Sequence, residues 1–241
     1  MGRVLEPYDG GGDDLANGFA VPATHRRRWD FSADGIRHSL EDSLARLGLD
    51  RVDLVLIHDP DDHEEHAFEE AYPALEELRS QDVVRAIGVG MNQSRMPARF
   101  ITDTDVDTVL CAGRYTLLEQ KGALEALPPA AAAAGKSVIV GGVVNSGLLA
   151  DPTPTATYDY GAAPEGLLRR ATRMRDVTEG HGVPLRAAAL RFPFGHPAGA
   201  APRWCADSGR KPLVSMVDAH HHLWDLAVPD QEWLDGPELA P

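Results

Sequence analysis

Polar side chains follow two short apolar segments of this sequence and could carry chemistry there. His58 follows residues 52–57, and an imidazole at that point could polarise a carbonyl or move a proton. Asn92 follows a segment that ends at Gly90, and its carboxamide can both donate and accept a hydrogen bond. A structural interpretation stays open for each residue. His58 could bond to a loop carbonyl, and Asn92 could cap the helix that begins near Ser94.

Two further apolar segments are also followed by candidate binding residues. Tyr115 could stack on a flat ring or simply cover the mouth of a barrel. Asn145, Ser146 and Gly147 are short residues whose backbone N–H groups could approach a phosphate, or they could form an ordinary turn. Because parallel α/β folds build active sites at the carboxyl ends of their strands, all these residues are expected at one edge.

Histidine and charged clusters raise the question of a metal. His220 and His222 follow an apolar segment, and alternate residues of a strand point to the same side, so the pair could bind one ion. A solvated histidine-rich turn is the alternative. The acidic run over 59–66 matches no ligand spacing and indicates a solvated loop and helix start. The basic run over 26–28 indicates loop surface rather than a phosphate clamp.

Hydrophobic periodicity predicts how these residues are positioned. Residues 1–30 show no apolar period and are predicted to form a loop. Beyond them, helices alternate with four short apolar strands, which indicates a parallel sheet with helical crossovers. Pro128 and Pro129 are expected to interrupt one helix. The predicted strands are 52–57, 83–89, 106–111 and 137–140. The first predicted helix starts at Ser32, and the others span 64–80, 94–101, 119–134, 167–180 and 184–192.

Composition excludes several classes of protein. The 241 residues are 43% hydrophobic and 25% charged, an ordinary globular balance. The net charge of −14 disfavours nucleic acid and anionic membranes as partners. Two cysteines cannot build a disulfide framework, and no apolar stretch approaches the roughly 20 residues that span a bilayer. With no apolar segment at its start, the chain is expected to be cytoplasmic.

Five segments between residues 2 and 198 carry a resemblance to a known family. They are SLEDSLARLGLDRVDLVLIHDPDD, VVRAIGVGMNQ, DTVLCAGRYTLLEQ, VIVGGVVNSGLLA and PLRAAALRFPFGHP. On these segments, residues 2–198 resemble the aldo-keto reductases, most closely the bacterial branch that acts on L-fucose and D-threo-aldoses. The resemblance implies a (β/α)8 TIM barrel that oxidises an aldose to its lactone with NADP or NAD as cofactor and a sugar as small-molecule partner.

The resemblance also implies roles for individual residues. His58 matches the histidine that orients the reacting oxygen, and Asn92 matches a ligand of the nicotinamide carboxamide. Ser146, Gly147 and Leu148 match the loop near the cofactor pyrophosphate. Ala112 and Gly141 depart from the pattern, since many relatives have Gln and Tyr there.

Both ends depart from the family. The strands with its catalytic Asp, Tyr and Lys are not found, and residues 1–3 resemble the segment just after the Lys, so we expect a partial barrel lacking the first three strands and the last one. Little turnover is then expected from the chain alone, since loss of the base costs on the order of 10² to 10⁴ in rate. Self-association through exposed strand edges is expected too.

The end of the chain resembles a different enzyme class. Residues 216–241 are similar to the start of a metal-dependent lactone hydrolase of the amidohydrolase type, in which His220 and His222 would bind a divalent metal. This divides the chain into a barrel over 1–198, a junction over 199–215 and a fragment over 216–241. Two alternatives to a sugar dehydrogenase follow: an inactive fusion or truncation product, and a metal-dependent lactone hydrolase fragment. Tyr8, Trp29 and Tyr158 could line a sugar pocket or merely pack.

Overall fold

Short antiparallel strands occupy the start of the chain in the computed structural model, which describes residues 1–17, 19–159 and 161–195. Strand β1 (Arg3–Pro7) pairs with β4 (His25–Trp29), and β2 (Asp13–Asp14) pairs with β3 (Phe19–Pro22). The prediction of a loop over 1–30 is therefore wrong. Most of these strand residues are exposed or half-buried, so their sequence carries little of the alternating apolar signal that reveals a strand.

Ion pairs hold these antiparallel strands together. Glu6 on β1 accepts hydrogen bonds from Arg26 and Arg28 on β4, at 2.8 and 2.7 Å. Arg27 donates two hydrogen bonds to Asp14, at 3.1 and 2.5 Å. The basic run thus lies on a strand rather than in a loop, and each of its guanidinium groups faces a carboxylate.

Four parallel strands form the central sheet, in the order β5 (Val52–His58), β6 (Val84–Met91), β7 (Thr108–Ala112) and β8 (Ser137–Gly141). The four predicted strands are confirmed. In the register, His58 lies beside Gly90, and Ala112 lies beside Gly141. The carboxyl ends of all four strands therefore meet along one edge, called the carboxyl edge below.

Helices precede, separate and follow these strands along the chain. They are α1 (Ala33–Leu47), α2 (Glu64–His66), a π-helical turn (Ala67–Ala71), α3 (Tyr72–Ser80), α4 (Arg95–Asp103), α5 (Lys121–Ala134), α6 (Glu165–Gly180) and α7 (Leu185–Arg191). A small hairpin of β9 (Thr157–Tyr158) and β10 (Gly161–Ala162) precedes α6, and 3₁₀ turns lie at Leu15–Asn17 and Phe192–Gly195. Helix α5 runs through Pro128 and Pro129, so the predicted interruption is wrong. This alternation of helices and parallel strands is that of a (β/α)8 barrel.

The start of α1 shows how local sequence sets an element boundary. The Ser32 hydroxyl accepts a hydrogen bond from the Gly35 N–H at 3.0 Å, and Asp30 accepts hydrogen bonds from both the N–H and the hydroxyl of Ser32. Gly48, with φ of +64°, ends the helix in the left-handed conformation. The start at Ser32 agrees with the prediction.

Two apolar clusters stabilise the fold. The larger lies between the sheet and helices α1, α3, α4 and α5, and Ile57, Ile87, Val109 and Phe100 are fully buried in it. The smaller lies near α6 and α7 and includes Leu118, Leu148, Leu149, Ala171, Leu185 and Ala189. The larger cluster covers the strands whose ends form the carboxyl edge and so fixes their relative positions.

The two outer strands of the sheet differ in their surroundings. The Met1 amine donates to the Leu56 carbonyl at 2.6 Å, and the His58 N–H donates to the Met1 carbonyl at 2.9 Å, so Met1 covers the carboxyl end of β5. Strand β8 pairs only with β7 within the described ranges. Self-association through strand edges stays a prediction.

The proposed junction over 199–215 and the hydrolase-like segment over 216–241, including His220 and His222, lie outside the described residues. In the part of the chain that the structure describes, no helix is both long enough and apolar enough to span a bilayer.

Candidate active site

His58 is the last residue of β5 and lies at the carboxyl edge. Its side chain is 52% exposed, and its Nδ1 lies 3.3 Å from Asp59 Oδ2. The backbone on either side is fixed, because the His58 N–H donates to Met1 and the Asp59 N–H donates to the Gly90 carbonyl at 2.9 Å. The imidazole is thus held on a rigid strand end beside a carboxylate, where it can contact the oxygen of a ligand.

Asp59 begins the acidic run for which the sequence predicts a solvated loop and helix start, yet its side chain is half-buried, at 27% exposure. Its backbone has φ of +44°, an uncommon value for a residue other than glycine. Its Oδ2 accepts a hydrogen bond from Arg3 Nη2 at 2.7 Å. Burial raises the pKa of the Asp59 carboxyl, while the Arg3 charge opposes that rise. The one signal in the sequence was its position directly after His58.

Arg3 joins Asp59 to an aromatic cluster. The guanidinium carbon lies 4.3 Å from the centre of the Trp29 ring, on the neighbouring strand of the β1–β4 pair. The Trp29 ring lies 5.8 Å from that of Phe31 and 6.0 Å from that of His63, centre to centre. Trp29 nevertheless stays 44% exposed. Arg3, Asp59 and Trp29 therefore form a continuous group beside His58.

Asn92 follows β6, the strand next to β5, and is exposed. Its neighbour Gln93 caps helix α4, since Gln93 Oε1 accepts from the Met96 N–H at 3.1 Å. The Asn92 carboxamide makes no hydrogen bond to the other residues that the structure describes. Capping is thus carried out by Gln93, which leaves the donor and the acceptor of Asn92 for a ligand.

Tyr115 lies past the end of β7 but is only 4% exposed. It packs edge-on against Phe192, with ring centres 5.5 Å apart, and burial raises the pKa of its hydroxyl. Of the two interpretations of this residue, packing is the one that the structure shows.

The segment after β8 contains both structural and accessible residues. The buried Asn145 donates to the Gly113 carbonyl at 3.1 Å and accepts from the Thr116 hydroxyl at 2.7 Å, which ties the ends of β7 and β8 together. Leu148 is fully buried. Ser146 is exposed, and both it and Gly147 have positive φ, at +56° and +92°. Ser146 and Gly147 are therefore the members of this segment placed to meet a ligand.

Small residues end the two strands β7 and β8. Ala112 and Gly141 lie side by side in the register. A Cβ placed on Gly141 would lie 3.4 Å from the Ala112 Cβ and 3.5 Å from Leu110 Cδ2, so these positions pack closely. Ala112 and Gly141 are the two departures from the family pattern.

Residues of the acidic run over 59–66 form hydrogen bonds and ion pairs with neighbouring side chains. Asp61 accepts from Gln93 Nε2 at 2.5 Å, and Glu64 pairs with Arg99. Across residues 1–17, 19–159 and 161–195, no group of three or more His, Cys, Asp and Glu side chains could hold a metal ion. His220 and His222 lie outside the described residues, so their role as a metal-binding pair stays a prediction.

Comparison with known proteins gives a consistent family match. The model of the Aldo/keto reductase family matches residues 21–219. The chain is 44% identical to a D-threo-aldose 1-dehydrogenase of Pseudomonas sp over 98% of its length and 72% of the relative's. It is 35% identical to a pyridoxal 4-dehydrogenase of Microbacterium luteolum, over 96% of its length and 69% of the relative's.

Solved structures agree on the fold. The holo form of aldo-keto reductase AKR11C1 from Bacillus halodurans matches with a TM-score of 0.57 at 25% identity, over 70% of this chain and 56% of that one. The glycerol dehydrogenase AKR11B4 from Gluconobacter oxydans matches with a TM-score of 0.56 at 21% identity, over 79% and 57%. The chain spans little more than half the length of these two structures. On the family match and the two sequence relatives, the chain belongs to the aldo/keto reductase family.

Proposed function

We propose that this chain takes part in the NAD(P)-dependent oxidation of an aldose to its lactone. The observation that carries the proposal is the meeting of His58, Asn92 and Ser146 along one edge of the sheet. The 44% identity to a D-threo-aldose 1-dehydrogenase supports an aldose as the substrate class. L-Fucose is the sugar that the resemblance suggests, and the matched L-galactose dehydrogenase of Arabidopsis thaliana adds L-galactose.

The residues at the carboxyl edge fit a nicotinamide cofactor. Asn92 has a donor and an acceptor without partners among the described residues, and the carboxamide of nicotinamide offers the complementary pair. Ala112 and Gly141 would lie near the nicotinamide ring, and Ser146 and Gly147 would lie toward the pyrophosphate. When bound, the nicotinamide supplies a hydride acceptor.

His58 would hold the oxygen on the carbon that is oxidised. The overall change removes a hydride from the anomeric carbon, which the nicotinamide would accept, and releases the proton of the hydroxyl group to solvent water, and it leaves the lactone carbonyl. The exposed imidazole can hold that oxygen through a hydrogen bond, and its Nδ1 lies 3.3 Å from Asp59 Oδ2. Asn145 and Tyr115 would act by fixing the surrounding loops.

Cofactor binding tests this proposal through a single side chain. NADPH and NADH are each titrated into the chain, and bound cofactor is followed by its fluorescence. Asn92→Ala should raise Kd by about tenfold, because two hydrogen bonds to the carboxamide are lost. Asn17→Ala makes the same change in the 3₁₀ turn that follows β2, where Asn17 donates to Asp14, and should bind as the wild type does. Equal Kd values for Asn92→Ala and the wild type would contradict the assignment of Asn92.

Sugar oxidation is a second, separate readout. The initial rate of NAD(P)H formation with L-fucose or L-galactose is measured for the wild type and for His58→Gln. Little turnover is expected from the chain alone, so the comparison uses enzyme concentrations at which the wild type gives a measurable rate. Loss of the imidazole should lower that rate by about 10² or more. A His58→Gln variant as fast as the wild type would remove His58 from the mechanism.

A further inference from the structure

We propose that Arg3 and Asp59 bind two neighbouring hydroxyl groups of the sugar, next to the carbon whose oxygen contacts His58. In an aldose these would be hydroxyls such as the one on C2, adjacent to the anomeric carbon. The inference rests on the proposed function, since it takes His58 as the group that holds the reacting oxygen. It adds a subsite that recognises the sugar and is separate from the residues assigned to the cofactor.

The position of the pair carries the first part of the argument. Asp59 Oδ2 lies 2.7 Å from Arg3 Nη2 and 3.3 Å from His58 Nδ1, so one carboxylate oxygen serves both neighbours. The other oxygen, Oδ1, accepts no hydrogen bond from the residues that the structure describes. The Asp59 side chain is 27% exposed, which leaves it within reach of a ligand held at His58.

Arg3 also has a donor without a partner among the described residues. Its Nε is buried with no hydrogen-bond partner, and it is the only such side-chain atom in the part of the chain that the structure describes. A buried donor left unpaired destabilises the fold, so the arrangement does not serve stability alone. A carboxylate that accepts beside a guanidinium that donates is the combination that holds neighbouring hydroxyl groups, each of which both donates and accepts.

The backbone conformation of Asp59 also supports the inference. Its positive φ is held by the hydrogen bond from its N–H to Gly90, directly after the histidine at the strand end. Conformations of this kind cluster at functional sites, where the surrounding structure supports them. The strain turns the carboxylate toward His58 and Arg3.

Charge and shape select the class of ligand. Arg3 and Asp59 together carry no net charge, so the pair favours a neutral polyol over a phosphate or a carboxylate. The exposed Trp29 ring, which Arg3 overlies, adds an apolar wall beside the pair. A sugar ring presents both hydroxyl groups and a C–H surface, and it can therefore use both parts of this group.

The test compares L-fucose with its 2-deoxy analogue. Binding of each sugar to the chain saturated with NAD(P)⁺ is measured by calorimetry for the wild type, Asp59→Asn and Arg3→Lys. The control is Asp53→Asn, which removes a carboxylate from an exposed ion pair with Arg85 near the opposite end of the same strand. Circular dichroism confirms that each variant is folded, and Arg3→Lys keeps the positive charge while it removes the planar guanidinium.

The wild type and Asp53→Asn should bind L-fucose about tenfold more tightly than the 2-deoxy sugar, since a hydrogen bond to a charged group is lost. In Asp59→Asn the ratio should fall to about twofold or less, and Arg3→Lys should give an intermediate ratio. The same ratio in Asp59→Asn and the wild type, or a wild type that binds both sugars equally, would overturn the inference.

Failure of the proposed function would look different. A chain that binds neither NADP nor NAD would contradict the proposed function and this inference together. A chain that binds the cofactor through Asn92 but does not distinguish the two sugars, or binds neither sugar, would overturn only the inference.

Discussion

At the scale of single residues, Asp59 combines two features that destabilise the folded chain. Its backbone has a positive φ, and burial raises the pKa of its carboxyl group above the ordinary value of 3.8. A raised pKa means that the folded protein binds a proton more readily than the unfolded chain does. Stability is therefore lost as the pH rises through that pKa, and the charged carboxylate at neutral pH is retained at the expense of stability.

The first prediction concerns Asp59→Asn and pH. Because the amide carries no charge, the variant should lose less stability than the wild type as the pH rises from 3 to 7. The difference in Tm between variant and wild type, measured by differential scanning calorimetry, should be more positive at pH 7 than at pH 3. A difference that becomes more negative toward pH 7 would show that the carboxylate stabilises the fold, contrary to this account.

Residues at the ends of strands were predictable one by one, whereas their partners were not. His58 and Asn92 each follow an apolar segment, and that local signal placed both correctly at the carboxyl edge. Arg3 lies 56 residues from Asp59, and nothing in the local sequence of either shows the contact. Asn145 could be predicted as part of a loop, but its use in joining β7 to β8 depends on Gly113 and Thr116, about 30 residues away.

At the scale of elements, helix α1 depends on its first residues. The second prediction is that Ser32→Ala lowers the free energy of unfolding by about 1 kcal/mol, because the cap to the Gly35 N–H is lost. The measurement is denaturation in urea. Ser43→Ala, inside the same helix, is the control and should be close to neutral, since alanine favours a helix interior. Equal effects of the two substitutions would argue against the cap.

Close approach of β6 to β7 requires glycine at position 88. A Cβ there would lie 2.1 Å from the Thr108 carbonyl oxygen, which belongs to the backbone and cannot move aside easily. The third prediction is that Gly88→Ala destabilises the fold by at least about 2 kcal/mol, or abolishes folding. Gly166→Ala in α6 meets nothing within 4 Å and should be neutral or stabilising by about 0.5–1 kcal/mol. A Gly88→Ala variant as stable as the wild type would contradict the close packing.

Elements were predictable where periodicity is strong. The four parallel strands and the helices between them carry continuous apolar runs or one apolar face, so the sequence shows them. The antiparallel strands of the first 30 residues are stabilised by ion pairs such as Arg27 with Asp14, which leave no periodic trace. Pro128 and Pro129 lie within α5, where Leu127 and Pro128 are buried, so packing of the helix outweighs the local preference of proline.

At the scale of the whole molecule, the sheet brings distant parts of the sequence to one edge. Residues near positions 3, 58, 92 and 146 meet there because neighbouring parallel strands end together and β1 lies beside the end of β5.

The most direct test of the central claim is to map where the cofactor binds. NADP⁺ and NAD⁺ are titrated into the ¹⁵N-labelled chain, and the amide signals of the backbone and of Asn92 are followed by NMR. The account predicts shifts at Asn92, Gly113 and Ser146, at the carboxyl edge, with little change at Val84 and Ser137, at the opposite ends of β6 and β8. Shifts confined to the opposite ends, or none at a cofactor concentration well above 1 mM, would contradict it.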